Sequence, residues 1–512
     1  MAEIWQFRRL SSALNGGPAK LKRRTNVYWW GGVGVAYLNI ARPFAKTVLQ
    51  SNMNNEPSSN AKWVYDSPIH SDVEAKLRRL LVELGNAERI LGIQVCAYKD
   101  GKVIIDTSAG VMGKEDPRPV QPDTLFPVFS VTKGVTAGMI HWLADKGKLK
   151  FDENVANIWP EFGTNGKFEI KVHHILNHTS GLHDALSVIV EDDPILFCDW
   201  DECVKRIATV VPETEPGHKQ IYHYLSYGWL CGAIIEHASG RKFQDILEEA
   251  FVRPLNLEGE FYIGIHPGVE SRLATLTYDT TEFSMFSALI ATTEFRSHVP
   301  SSFVPNILEA LITSSNTLNV RCAILPASNG HFSARALARY YAALVDGGVV
   351  PPSQSSSLPP LGSHPHRPTT TDSHTTNPNP ESDLNIEVLE SDNTNDEIDS
   401  KIFSTQKSKL HDLFLGNGVN KDLILPNGKF GLGFHRINTI DGSMIGFGHA
   451  GLGGSTGYCD INNRFSIVVT LNKLSFGPLV AKIIQFVCSE LNLPVPEDYA
   501  GSWEFTEKPV FN

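Results

Sequence analysis

At 512 residues the chain is long enough for one large catalytic domain or two or three smaller ones. Hydrophobic residues at 42% and charged ones at 20% are ordinary for a soluble globular protein, while a net charge of −11 argues against a general nucleic-acid binder, whose partner demands a basic surface. The seven cysteines are odd in number and scattered, and none forms a CxxC or Cys/His pair at metal-ligand spacing. Free thiols in a reducing, intracellular compartment are therefore expected, with no metal and no cofactor.

Residues 1–64 form a basic N-terminal extension. Arg8, Arg9, Lys20, Lys22, Arg23, Arg24, Arg42 and Lys46 are opposed in its first 60 residues by only Glu3 and Glu56. That balance can mark an organelle transit peptide, of plastid or mitochondrion, or the remnant of an upstream domain. The apolar patch from Val27 to Ala41 is too short and too rich in glycine to span a membrane, and no other stretch is a transmembrane candidate.

From Ser71 to Leu84, Val73, Leu77, Leu80 and Leu81 fall on one helical stripe. Ile93–Tyr98 and Val103–Ile105 flank Asp100-Gly101, which predicts a β-hairpin with a tight turn. Next comes Phe129-Ser130-Val131-Thr132-Lys133 at the head of a helical run. Residues three apart on a helix share a face, so the spacing sets an amine beside a hydroxyl that needs a base to become a nucleophile. Val135, Met139, Ile140 and Leu143 predict a helix with one buried side, stopped at Lys146-Gly147.

Further along, Asn177–Leu182 is a loop, and His173, His174 and His178 are expected to serve packing and loop support. Glu215-Pro216-Gly217 leads to Ile221-Tyr222-His223-Tyr224, and Ser226-Tyr227-Gly228-Trp229 opens a long helix. Another helix is predicted from Ser333 to Leu344, ending at Gly347-Gly348. Residues 351–405, first rich in Pro, Ser, Thr and Asn and then acidic, predict a disordered insertion looping out of the domain. After it, Gly431–His435, Ile445–Gly451 and Ser466–Leu471 are strand-like, a helix runs through Val480 and Val487, and 491–512 is a tail.

Six stretches in order resemble the serine β-lactamase-related superfamily of penicillin-binding proteins, class C β-lactamases and serine esterases. They are Phe129–Lys133, Leu176–Leu182, Pro216-Gly217, Tyr224–Trp229, Ser333–Ala338 and Gly448–Gly451. The likeness is greatest to the esterase-like branch found in plant β-lactamase-domain proteins, and it covers roughly residues 65–490. It implies an α+β, β-lactamase/transpeptidase-like fold: an antiparallel sheet flanked by helices, built from both chain ends, plus a mostly helical subdomain.

The resemblance also implies roles. Ser130 would be the nucleophile and Lys133 its general base. The family's Tyr-x-Asn element, counted back from Gly228-Trp229, falls on Tyr224 for proton transfer and Ser226 for the asparagine, with Tyr222 as the other tyrosine in range. The family's Lys-Thr-Gly is replaced by His449-Ala450-Gly451. His449 would grip a substrate carboxylate weakly at neutral pH, Gly451 would let the strand edge approach substrate, and the Leu452 N–H would join that of Ser130 in an oxyanion hole. The implied activity is hydrolysis of a small-molecule ester or peptide through an acyl-enzyme. A catalytically inactive scaffold keeping the fold is the alternative, and a true β-lactamase is a third reading.

Overall fold

The structure, a computed structural model, describes residues 27–30, 33–36, 63–187, 194–352, 357–365 and 401–501. The readings of most of the basic N-terminus, of the acidic run 381–399 and of residues 502–512 lie outside them. Within the extension, Val27–Trp30 pairs antiparallel with Val33–Ala36.

The Asp-Gly turn joins β1 (Gly92–Lys99) to β2 (Lys102–Gly110). Asp100 and Gly101 both take positive φ, 53° and 76°, the hand that matches the twist of a two-residue hairpin. Four strands from the other end of the chain complete the sheet: β3 (His435–Asn438), β4 (Met444–Ala450), β5 (Thr456–Asp460) and β6 (Phe465–Leu471). Their order is β2-β1-β6-β5-β4-β3, antiparallel throughout. The two chain ends meet where β1 pairs with β6.

Side chains alternate across this sheet. Val95, Ala97, Ile467 and Val469 face a core shared with α1 (Asp72–Asn86, capped by the Ser71 hydroxyl) and with a C-terminal helix, Leu479–Glu490. Cys96, Tyr98 and Val468 face the opposite core, where the helix Ala334–Val345 lies. With both faces covered, all seven residues of β6 are buried.

The α2 helix (Thr132–Asp145) departs from the one-sided reading: every residue from Thr132 to Leu143 is buried. It lies between the sheet side and a helical region that includes α3 (Ser226–Ser239) and α4 (Pro305–Ser314). Gly138 makes this possible, because a Cβ there would stand 2.1 Å from the Tyr340 hydroxyl.

Two boundaries move. Ser357 bonds to Arg335 and Asp106, and Ile402 and Phe403 are buried in the core, so these parts of the 351–405 insertion pack on the domain. Residues 491–501 also pack: Tyr499 is buried, its hydroxyl 2.9 Å from Thr456 Oγ1. All seven cysteines are free. Among the described residues no helix is long and apolar enough to cross a membrane.

The Ser333 stretch holds a structural ion pair. Arg335 donates to both Glu260 oxygens at 2.8 and 2.5 Å, both side chains are buried, and the Ser333 hydroxyl adds a third bond at 2.7 Å. Glu260→Ala strands a buried guanidinium, so urea unfolding is expected to show a loss of roughly 3–5 kcal/mol.

Candidate active site

The strand Phe126–Pro127 feeds straight into the Ser130 turn. Phe129 takes φ 47°, a left-handed conformation a side-chain-bearing residue rarely adopts, and Ser130 follows at the entry to α2. One turn along, Lys133 brings Nζ to 3.1 Å from Ser130 Oγ.

Lys133 is fully buried, and its two other partners are backbone carbonyls, Tyr224 O at 2.8 Å and Ala327 O at 3.0 Å. No carboxylate pairs with it among the described residues. Burial therefore pushes its ammonium well below the ordinary lysine range. A neutral amine has two N–H groups and one lone pair. The two carbonyls can only accept, so they take the N–H groups. The lone pair is left facing the one neighbour that can donate, the Ser130 hydroxyl.

The two tyrosines divide differently from the sequence expectation. The Tyr224 phenol is held 2.8 Å from Ser302 Oγ, and Ser302 in turn is held by Asp184. Only the backbone carbonyl of Tyr224 meets Lys133. The Tyr222 phenol instead adjoins the Ser130 hydroxyl, without reaching full hydrogen-bond geometry with any partner, and its ring centre lies 5.0 Å from Lys133 Nζ. Burial pushes this phenol up in pKa, with Ser130 pulling it partly back.

Why Tyr222 turns inward is set by the Asn177–Leu182 loop. Ile221 N–H bonds to His178 O, His223 N–H to His178 Nδ1, and His223 Nε2 lies 2.7 Å from Ser180 Oγ. The His178 ring packs on Tyr222 at 4.8 Å. Ser226, expected at the asparagine position, turns away from substrate space: its hydroxyl donates to Leu182 O at 2.7 Å and ties α3 to the same loop.

His449 is buried, with Nδ1 3.0 Å from Ala450 O and Nε2 without a partner among the described residues. Burial and the neighbouring Lys133 push it well below the usual histidine range, so it is neutral. It packs near Tyr222 and Phe430 and is not part of the cavity wall, which departs from the expected carboxylate grip. At Gly451 the close approach is to protein: a Cβ would lie 2.1 Å from Val128 O. The 450–454 turn is thereby pressed against the strand ahead of Ser130, and Leu452 joins Ser130 on one cavity wall.

That cavity has a volume of about 500 Å³. Sequence reasoning missed most of its walls, Phe303, Leu308 and Leu311 among them, because they carry only an ordinary apolar signal. No group of His, Cys, Asp and Glu suited to a metal ion occurs among the described residues.

The fold is shared with solved proteins. A family VIII carboxylesterase matches with a TM-score of 0.58 at 21% identity, over 83% of this chain and 99% of that one. A penicillin-binding protein homologue from Caulobacter crescentus matches at 0.59 and 24% identity, with the same coverage. The beta-lactamase family model matches residues 77–486, and the chain belongs to that family. It is 27% identical over 413 residues to the esterase/beta-lactamase LipL of Mycobacterium tuberculosis, covering 78% of this chain and 81% of that protein. Identity to esterase EstB of Burkholderia gladioli is 26% over 212 residues, 38% of this chain and 53% of that one.

Proposed function

We propose that this protein is a serine hydrolase acting on ester or amide carbonyls through an acyl-enzyme on Ser130. The observation that carries the reading is the set of neighbours of Lys133: two pure acceptors and one hydroxyl around a buried amine. The names of the relatives, esterase/beta-lactamase LipL and esterase EstB, point the same way.

In the first half-reaction the Ser130 proton passes to Lys133 Nζ as Oγ bonds to the carbonyl carbon. The carbonyl electron pair moves onto oxygen, where the N–H groups of Ser130 and Leu452 stabilise it. Collapse breaks the bond to the leaving group, which takes a proton from the Tyr222 phenol, and the Lys133 ammonium restores that proton. Water then repeats the sequence and frees the acid. Tyr222 replaces Tyr224 in this role because its phenol is the one beside Ser130. Tyr224 then stands two residues on, where the family's Tyr-x-Asn pattern has asparagine.

Incubation with a fluorophosphonate probe and with p-nitrophenyl butyrate tests the proposal. Labelling of the wild type at Ser130, with labelling and turnover lost in Ser130→Ala, is the expected result. An unlabelled wild type, or a label that survives the substitution, rejects the mechanism.

A further inference from the structure

The cavity beside Ser130 says more about the acyl group than the reacting atoms do. Its walls include Phe197, Trp229, Phe303, Leu308, Leu311 and Leu325, all apolar. Phe197 and Trp229 stack at 5.6 Å, and Phe303 meets the Tyr224 ring edge-on at 5.2 Å. Among the described residues no Asp, Glu, Lys, Arg or His lines it. Its polar residues are neutral, and those that reach solvent, Asn306, Thr317 and Asn319, mark the mouth.

A carboxylate or an ammonium on the acyl part would lose hydration in such a space and gain no oppositely charged partner among the described residues. That disfavours the carboxylated acyl groups of β-lactams and acidic peptides, and it disfavours free amino-acyl groups. An acetyl or butyryl group would leave most of the volume unfilled, whereas about 500 Å³ lies within the size range of pockets that enclose a whole drug-sized ligand.

Two features hold the wall in place. The Asp184 carboxylate accepts from the Ser301 hydroxyl at 2.5 Å and from Ser302 N–H at 3.1 Å, fixing the turn that carries Phe303 into α4. Arg296 donates to the carbonyls of Ser301 and Phe303 from the other side. The apolar wall is thus anchored by polar bonds and not by its own packing alone.

We propose, resting on the serine-hydrolase reading, that the substrates are esters of uncharged medium- to long-chain fatty acyl groups, with the hydrocarbon chain lying between α4 and Trp229. The chemistry at Ser130 is unchanged: Oγ takes the acyl group, the alcohol leaves with a proton, and water releases the fatty acid.

The test is a series of p-nitrophenyl esters from acetate to laurate, run on the full chain beside fluorophosphonate labelling. Each methylene buried is worth about fourfold in kcat/KM, so octanoate is expected to exceed acetate by at least about a hundredfold, even with incomplete burial. Leu311→Trp, which fills the cavity from a half-buried position, is expected to lower the octanoate-to-acetate ratio of kcat/KM about tenfold or more. Fluorophosphonate labelling of Ser130 reports that the variant is folded. A profile that is flat or falls beyond butyrate, with Ser130 still labelled, overturns the fatty-acyl assignment and leaves the hydrolase reading standing. No labelling and no turnover of any ester overturns both.

Discussion

Tyr222→Phe is expected to lower kcat for an alkyl butyrate ester by roughly 10²–10⁴-fold, the usual worth of a positioned proton donor, while Tyr224→Phe changes it by less than about tenfold. The contrast follows from where each hydroxyl lies. The Tyr222 phenol adjoins Ser130 and makes no full hydrogen bond among the described residues. The Tyr224 phenol is committed to Ser302 and, through it, to Asp184. Burial raises the pKa of both phenols, so each is protonated at neutral pH and can serve as a donor but not as an anionic base. Tyr222→Phe removes only an oxygen and leaves the ring on His178 and Phe430, so the fold is kept. A leaving group that needs no proton separates the roles further: the loss should be larger for an alkyl ester than for the p-nitrophenyl ester. Equal losses in the two tyrosine variants would remove Tyr222 from the mechanism.

The choice between Tyr224 and Tyr222 shows what the sequence could and could not carry. Ser130 and Lys133 were legible because their spacing is local: one helical turn decides that they meet, and they stand 3.1 Å apart. The hairpin at Asp100-Gly101 was legible for the same reason. Tyr222 and Tyr224 differ by two residues in an irregular segment, where no period fixes which ring points inward. The decision is made by His178 and Ser180, some 40 residues earlier, which bond to Ile221 and His223. Counting back from Gly228-Trp229 could not register those bonds. The same loop claims Ser226, which the count had assigned to substrate.

The surroundings of His449 and Gly451 escape the sequence for a related reason. A histidine in place of lysine suggested a cation, but charge depends on burial, and burial depends on Tyr222, Phe430 and Lys133 arriving around it. The all-round burial of α2 was likewise invisible in its apolar period, since Gly134 and Gly138 gain meaning only when Tyr341 and Tyr340 are set against them. The acyl cavity belongs to the same class: Phe197, Trp229, Phe303 and Leu311 become one surface only by long-range folding.

Lys133→Met is the substitution expected to separate chemistry from stability most sharply. Methionine keeps much of the aliphatic length in the buried channel but offers no lone pair basic enough to take the Ser130 proton, so kcat/KM should fall by roughly 10²–10⁴-fold. Lys133→Arg should give no rescue, because a guanidinium stays protonated and only donates. In the wild type the activity should rise with pH through the depressed Lys133 pKa and then level off, since the neutral amine is the working form. The sign of the stability effect follows from linkage. Between the depressed folded pKa and an unfolded value of about 10.4, the unfolded chain binds one proton more than the folded one at this residue. Wild-type stability from this source therefore rises with pH across that window, and Lys133→Met loses that slope. Against it, the carbonyls of Tyr224 and Ala327 lose their donor, at about 1–3 kcal/mol for each group left unsatisfied. Urea unfolding at a series of pH values on both proteins measures the difference. A pH dependence unchanged by the substitution would mean that the amine folds in its charged form, and the general-base role would fall with it.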